Sequence, residues 1–160
     1  MEIEYLSFDS ASELRKYLNN QKTYHVVLLG EDSIVINSAT AIIIEKCRLI
    51  IGLFTDGTNT PECQLRDKTV FVGFNNEVVC IREGEIVNKL MFDSVFYEFI
   101  DVPNYSDLIL SLFELGLACF DEYGVLRWKQ FTSDIVNDVV VQNDKLLVYT
   151  EDGEMEMNIL

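Results

Sequence analysis

Apolar and polar positions alternate in short runs along most of this chain, with turn-forming residues between the runs, the period-2 signature of half-buried β-strands. The exception lies near the start. Ser10-Ala11-Ser12-Glu13 fits a capping box, with Ser10 as N-cap and Glu13 reaching back to it. Ala11, Leu14, Tyr17 and Leu18 then recur at helical spacing and Asn19-Asn20 ends the run, so the pattern predicts a short amphipathic helix from about Ala11 to Asn19. Strand-like runs follow: TYHVVLLG, ending at Gly30 before the turn-like Glu31-Asp32-Ser33, then IVIN, ATAIIIE and RLIIGLFT. The segment Asp56–Lys68 holds a Gly, a Pro and several other turn residues and reads as the longest loop. Beyond it TVFVGF, EVVCIR, EIVNKLMF and VFYEFI are separated by Asn75-Asn76, Glu83-Gly84 and Asp93-Ser94, which suit tight hairpins. LILSLF, LGLACF, VLRWKQF, DIVNDVVVQ, KLLVYT and EMEMNI continue the pattern, with turns at Asn143-Asp144 and Asp152-Gly153.

Taken alone, LILSLFEL fits a helix capped by Ser106 as well as it fits a strand. A shift of 39 residues along the chain favours the strand. It lays Val70 on Ile109, Phe71 on Leu110, Phe74 on Phe113, Val78 on Leu117, Cys80 on Cys119 and Ile81 on Phe120. After one inserted residue, Gly84 meets Gly124 and Ile86 meets Leu126. A period near 40 is the size of a four-stranded meander. A truncated third copy begins at LLVYTEDGE, whereas residues 1–68 do not fit the period. The expected organisation is a single domain over residues 1–160, with a non-repeating part over 1–68 and two blade-like meanders over 69–160.

Ala118, Gly124 and Trp128 carry a more particular likeness. Their spacing resembles the tryptophan-docking motif of quinoprotein-type β-propeller blades, in which an Ala is followed by a Gly six residues on and a Trp ten residues on. In that family the Trp packs against the neighbouring blade and is structural, which implies a packing role for Trp128; the alternative is an exposed anchor at an interface, where Trp is enriched. The match is partial: Asp121 stands one position later than the family's Asp, Tyr123 replaces its Thr, and the preceding meander has Asn88 where the Trp would fall. The resemblance implies blade-like meanders and no quinone cofactor. The expected fold is therefore mainly β, antiparallel meanders with one short N-terminal helix, arranged as a partial propeller, a sandwich or a curled sheet.

Composition narrows the function. Apolar residues make up 49% of the chain, enough for a packed core and against disorder. The net charge of −15 opposes binding to nucleic acid or to an anionic membrane and favours a basic partner. Residues 101–160 hold 12 acids and 3 bases, a net of −9, so the last third carries most of the excess. MEIEYLSFDS has no apolar h-region and no apolar run reaches the length of a membrane span, so a soluble cytoplasmic protein is expected.

Candidate chemistry is sparse. Cys47, Cys63, Cys80 and Cys119 form no CxxC pair, and a thiol repeated at equivalent positions reads as a core residue. His25 is the only histidine and stands at the start of an apolar strand, which excludes a histidine-rich zinc site. No GxSxG, GxGxxG or GxxxxGK[ST] motif occurs. The close carboxylate pairs Glu2/Glu4, Asp121/Glu122, Glu151/Asp152 and Glu154/Glu156 fall at turns or on solvent-facing alternations, where both members stay ionised. No cofactor and no metal are expected, and the chain reads as a non-enzymatic binding domain. The expected contacts are the turn residues Asp121, Glu122, Tyr123, Asp144, Glu151 and Asp152, facing a basic protein. Acidity, size and the missing catalytic residues give a compositional likeness to bacterial immunity proteins, which implies a toxin as that partner. The alternative is a hydrolase or ligand-binding module whose residues converge near His25 and the Asp56–Lys68 segment.

Overall fold

A computed structural model describes residues 3–31, 38–57 and 59–160. The chain is mainly β, built as four sheets in succession with one helix. The first sheet comprises β1 (Ile3–Phe8), β2 (His25–Leu29), β3 (Ser38–Ile44) and β4 (Leu49–Thr55), in the order β1-β3-β4-β2. The second is the meander β5 (Glu62–Arg66), β6 (Thr69–Phe74), β7 (Glu77–Arg82) and β8 (Glu85–Met91). The third is the meander β9 (Phe96–Asp101), β10 (Leu108–Phe113), β11 (Gly116–Asp121) and β12 (Leu126–Phe131). The fourth has three strands, β13 (Val136–Gln142), β14 (Lys145–Thr150) and β15 (Gly153–Asn158). LILSLF is a strand, and the antiparallel meanders resemble propeller blades.

Three features depart from the sequence pattern. IEYLSF, where charged and polar residues mask the alternation, forms β1. Residues Glu62–Arg66 cross the second sheet as β5, so Asp56–Lys68 is not one loop. Cys63 and Leu65 point one way along β5, into the core against the first sheet, and that burial outweighs the flanking turn residues. Third, β2 pairs with β4 in parallel, His25 beside Leu49 and Leu29 beside Leu53. IVIN lies outside the described residues.

The helix α1 (Ala11–Asn19) forms where its cap predicts. Ser10 is extended and its Oγ accepts from the Glu13 N–H at 3.1 Å. Glu13 reaches back one residue further than a capping box requires, accepting from the Asp9 N–H at 3.2 Å. Leu14 and Leu18 pack on Ala39, Ala41, Ile43, Ile50 and Phe54, so α1 covers the outer face of the first sheet.

Alternation then gives the first three sheets two apolar faces and the fourth one. Ile42, Ile44, Ile51 and Leu53 of the first sheet meet Val70, Val72, Val79 and Ile81 of the second. Phe71, Val78 and Cys80 meet Phe96, Phe99, Ile109, Ala118 and Phe120 of the third. Leu110, Leu117 and Cys119 meet Val136, Leu146 and Val148 of the fourth. The aligned positions thus face the same way in successive sheets. The two meanders also share a defect: the β7–β8 pairing slips between Cys80 and Ile81, and the β11–β12 pairing slips between Cys119 and Phe120. Asn88 and Trp128 stand at the equivalent place beside the two cysteines.

The outer face of the fourth sheet differs chemically from those of the sheets before it. By the same registers, the places of Val78/Leu117 and Cys80/Cys119 fall to Glu154 and Glu156, both exposed, while Met155 and Met157 face the third sheet. Burying two carboxylates there would cost far more than an apolar contact returns, so this face stays in water. With α1 on one end face and carboxylates on the other, the four sheets do not close into a ring.

Candidate functional site

Two hairpin tips lean back onto the preceding sheet in the same manner. The β7–β8 tip places Gly84 against the ring of His25, and the β11–β12 tip places Gly124 against Cys80, Val87 and Thr69. Both glycines have positive φ, +79° and +83°, and a Cβ on Gly124 would stand 2.9 Å from the Cys80 Cβ, so this tip requires glycine twice over. The main chain of the β11–β12 tip is gripped as well. The Thr69 hydroxyl donates to the Glu122 carbonyl at 2.5 Å, and the Asn88 amide donates to the Gly124 carbonyl at 3.0 Å. At the next interface Trp128, the counterpart of Asn88, donates its indole N–H to the Ile159 carbonyl at 2.6 Å. A short amide and a long indole therefore do the same work, which gives Trp128 its packing role.

This tip also organises its own side chains. Asp121 Oδ1 accepts from the Tyr123 and Val125 N–H groups at 2.9 and 3.0 Å, and its Oδ2 lies 3.7 Å from Arg127. The Asp121 carboxylate is thus committed to the turn. Tyr123 is 55% exposed, with the Arg82 guanidinium 5.2 Å from its ring centre. Val125 (54% exposed) and Val87 (49%) stand beside it, an apolar strip at the tip that the strand pattern did not mark. The available signal was the apolar residue next to the hairpin glycine, where a turn would otherwise be polar.

The six expected contact residues do not form one cluster. Asp121, Glu122 and Tyr123 share an end of the sheets with Asp144, whose Oδ1 accepts from the Tyr105 hydroxyl at 2.6 Å. That hydrogen bond holds the Tyr105 phenol above its usual range. Glu151 and Asp152 stand at the other end of β14, one strand length away, roughly 20 Å. There the neighbouring Asp134 carboxyl, through hydrogen bonding and its charge, holds Asp152 above the usual carboxylate range.

The region of the alternative reading also comes apart. His25 begins β2 and is exposed, its N–H donating to the Arg48 carbonyl at 2.8 Å. Asp56 follows Thr55 at the far end of β4, so strand and loop start at opposite ends of the first sheet. Glu77, which burial pushes above the usual carboxylate range, begins β7, whereas the tip that touches His25 follows the end of β7. A cleft of about 760 Å³ does open beside β1 and the start of the Asp56–Lys68 segment. Its walls are Tyr5, Ser7, Ser38, Thr40, Thr55, Gly57, Asn59, Thr60 and Pro61, with no carboxylate, histidine, lysine or arginine among these described residues. It holds no acid–base pair.

All four cysteines are free thiols. Burial pushes Cys63, Cys80 and Cys119 up to about 12 and raises Cys47 less far. Since the thiolate is the reactive form, the three buried thiols are inert at neutral pH. Iodoacetamide treatment of the native protein, read by intact mass, is expected to add at most one adduct, on Cys47. Two or more adducts on folded protein would contradict their placement in the core. No described group of three or more His, Cys, Asp or Glu side chains is arranged to hold a metal ion, and no helix is long and apolar enough to cross a membrane.

No family model and no curated protein matches the sequence. Several solved structures are similar to the chain. It aligns with the WD40 β-propeller domain of Doa1 at 14% identity and a TM-score of 0.42, over 81% of this chain and 40% of that one. BamB from Moraxella catarrhalis gives 12% identity and a TM-score of 0.45, over 74% and 36%. BBS1N, solved in complex with ARL6DN, gives 12% and 0.45, over 84% and 47%. The chain thus spans less than half the length of each of these three.

Proposed function

We propose that this domain is a non-enzymatic, cytoplasmic protein-binding module that recognises a basic partner protein in the manner of an immunity-type inhibitor covering a toxin. The observation that carries the reading is charge: a net of −9 over residues 101–160, with exposed acids at the turns of the last two sheets. The tip at Glu122 and Tyr123 supplies what an interface centre needs, an exposed aromatic with Val87 and Val125 beside it and carboxylates around it. Asp144 lies at the same end of the sheets, whereas Glu151 and Asp152 at the opposite end serve long-range attraction. Asp121 contributes by holding the turn. The separation of His25 from the start of the Asp56–Lys68 segment, at opposite ends of the first sheet, speaks against the hydrolase alternative.

The test is affinity capture from native lysate followed by association kinetics with the purified captured protein. The partner is expected to be basic. Glu122→Lys with Asp144→Lys is expected to slow association about tenfold and to flatten its dependence on ionic strength. Tyr123→Ala is expected to speed dissociation with little change in the association rate. An acidic or neutral partner, or an association rate that ignores the charge reversals, would overturn the reading.

A further inference from the structure

The inner face of the first sheet, the side that meets the second sheet, changes character along its length. On β3 that face reads Ile44, Ile42, Thr40, Ser38. On β4 it reads Ile51, Leu53, Thr55, and on β1 it reads Ile3, Tyr5, Ser7. One end is therefore isoleucine and leucine, and it forms the core. The other end is hydroxyl, at places where the alternation calls for apolar side chains. The cleft of about 760 Å³ opens over this hydroxyl end, which it shares with Asn59, Thr60 and Pro61 of the connection to β5.

Thr55 is unlike an ordinary surface threonine. It is 3% exposed, it lines the cleft, and its Oγ1 is the one buried side-chain oxygen or nitrogen among the described residues without a hydrogen-bond partner. An unpaired buried hydroxyl costs free energy, and native structures keep few of them. Beside it Ser38 and Thr40 bond each other at 3.3 Å. The Tyr5 hydroxyl accepts from the Cys63 N–H at 3.2 Å, and its own O–H remains a donor. The Asn59 amide donates to the Phe96 carbonyl at 2.9 Å, which holds that side chain in the cleft wall.

The lining chooses the chemistry of a ligand. Its polar side chains are hydroxyls and one amide, groups that donate and accept alike, and none of the described ones is charged. A ligand hydroxyl can take either part with such groups, whereas an ion would give up its water and meet no counter-charge. The Tyr5 and Pro61 rings supply apolar surface for the C–H face of a sugar ring. The volume falls in the range of small-ligand sites, roughly 300–1,000 Å³.

We infer that the cleft beside Thr55 binds an uncharged sugar, with a ligand hydroxyl paired to Thr55 Oγ1 and a ring face on Tyr5. The site is separate from the protein-binding surface. Asp56, next to Thr55, bonds Asn75 just past the end of β6, whereas the Tyr123 tip bonds Thr69 at its start.

The probes are glucose, galactose, maltose and cellobiose, each titrated into the full chain at millimolar concentration and followed by amide chemical shifts. Saturable shifts are expected from at least one of them, centred on Ser7, Thr40, Thr55 and Asn59. Glucosamine and glucuronate are expected to bind at least about tenfold more weakly than the tightest neutral sugar. Thr55→Val removes the hydroxyl at nearly constant volume. It is expected to weaken binding about tenfold or more, while the Tm of the free protein stays the same or rises because no bond within the protein is lost. Thr55→Ser, which keeps the hydroxyl, is expected to keep the binding. Four sugars without saturable shifts would overturn the inference, as would shifts centred on the Tyr123 tip. Unchanged affinity in Thr55→Val, or glucosamine binding as tightly as the best neutral sugar, would do the same. A lower Tm for free Thr55→Val would show that the hydroxyl is already paired, and would also overturn it.

Discussion

Gly73→Leu is expected to destabilise the domain by at least ~3 kcal/mol, and adding Phe96→Val is expected to restore most of that loss. The Phe96 ring lies directly on Gly73: a Cβ there would come within 2.1–2.5 Å of three ring atoms. Phe96 is fully buried, packed with Phe99 and Phe113, and has no free space to retreat into. A leucine is a better strand residue than glycine, so local propensity predicts the opposite sign, and crowding decides. The rescue follows from the repeat. One interface along, the places of Gly73 and Phe96 are held by Leu112 and Val136, both in the core between the third and fourth sheets. The same volume is divided there the other way round. Phe96→Val alone leaves a cavity and costs roughly 2–3 kcal/mol. If the sites were independent, the double variant would be the worst of the three. Calorimetry of the cycle decides: Gly73→Leu should lower the Tm by about 6–12 °C, and the double variant should lie well above the additive value. Additive losses would show that the two interfaces are not equivalent.

Trp128→Ala is expected to cost about 3 kcal/mol and to loosen the fourth sheet from the third. The indole is half-buried, packs on the core between the third and fourth sheets and donates to the Ile159 carbonyl. Trp128→Phe separates the two contributions. It keeps the aromatic packing and loses one hydrogen bond to a buried carbonyl, about 1–2 kcal/mol. Urea unfolding monitored by circular dichroism measures both, and protection of β14 and β15 amides from hydrogen exchange locates the effect. The alanine variant should release these two strands while β6 and β7 stay protected. Loss of protection throughout the chain would mean that the four sheets unfold only as one unit.

What could be read from residues alone was local. The strand pattern between turn residues, with the 39-residue repeat deciding LILSLF, places thirteen of the fifteen described strands, because side chains on a strand take alternate sides whatever they later meet. The turn residues set the hairpins, since Asn75, Glu83, Gly84, Asn143 and Gly124 adopt positive φ. β1 and β5 were missed for the same reason: their apolar positions are few and interleaved with charge or turn residues, and only the sheets they join reveal that those positions are buried. Trp128 was legible as packing. Its counterpart Asn88 was not, because nothing in an asparagine announces that its amide will grip the next hairpin.

The candidate site divides along the same line. The acidity of the last third and the exposed tyrosine beside a hairpin glycine are properties of sequence. That Asp144 and Glu151 stand at opposite ends of one strand follows only once the stretch between them is a single uninterrupted strand. That Asp121 is spent on its own turn follows only from the turn's geometry. The chain by itself determined the alternation, the turns, the 39-residue repeat and the charge. The tertiary structure decided which faces meet, that β2 runs parallel to β4, that Gly73 carries Phe96, and that Glu154 and Glu156 face outward from the fourth sheet. The reason is that alternation says a side chain must be covered but not by what. Apolar surfaces attract without direction, so the partner of each face is chosen by volume, by hydrogen bonds to the next hairpin and by the cost of burying charge, all of which depend on residues far apart in the chain.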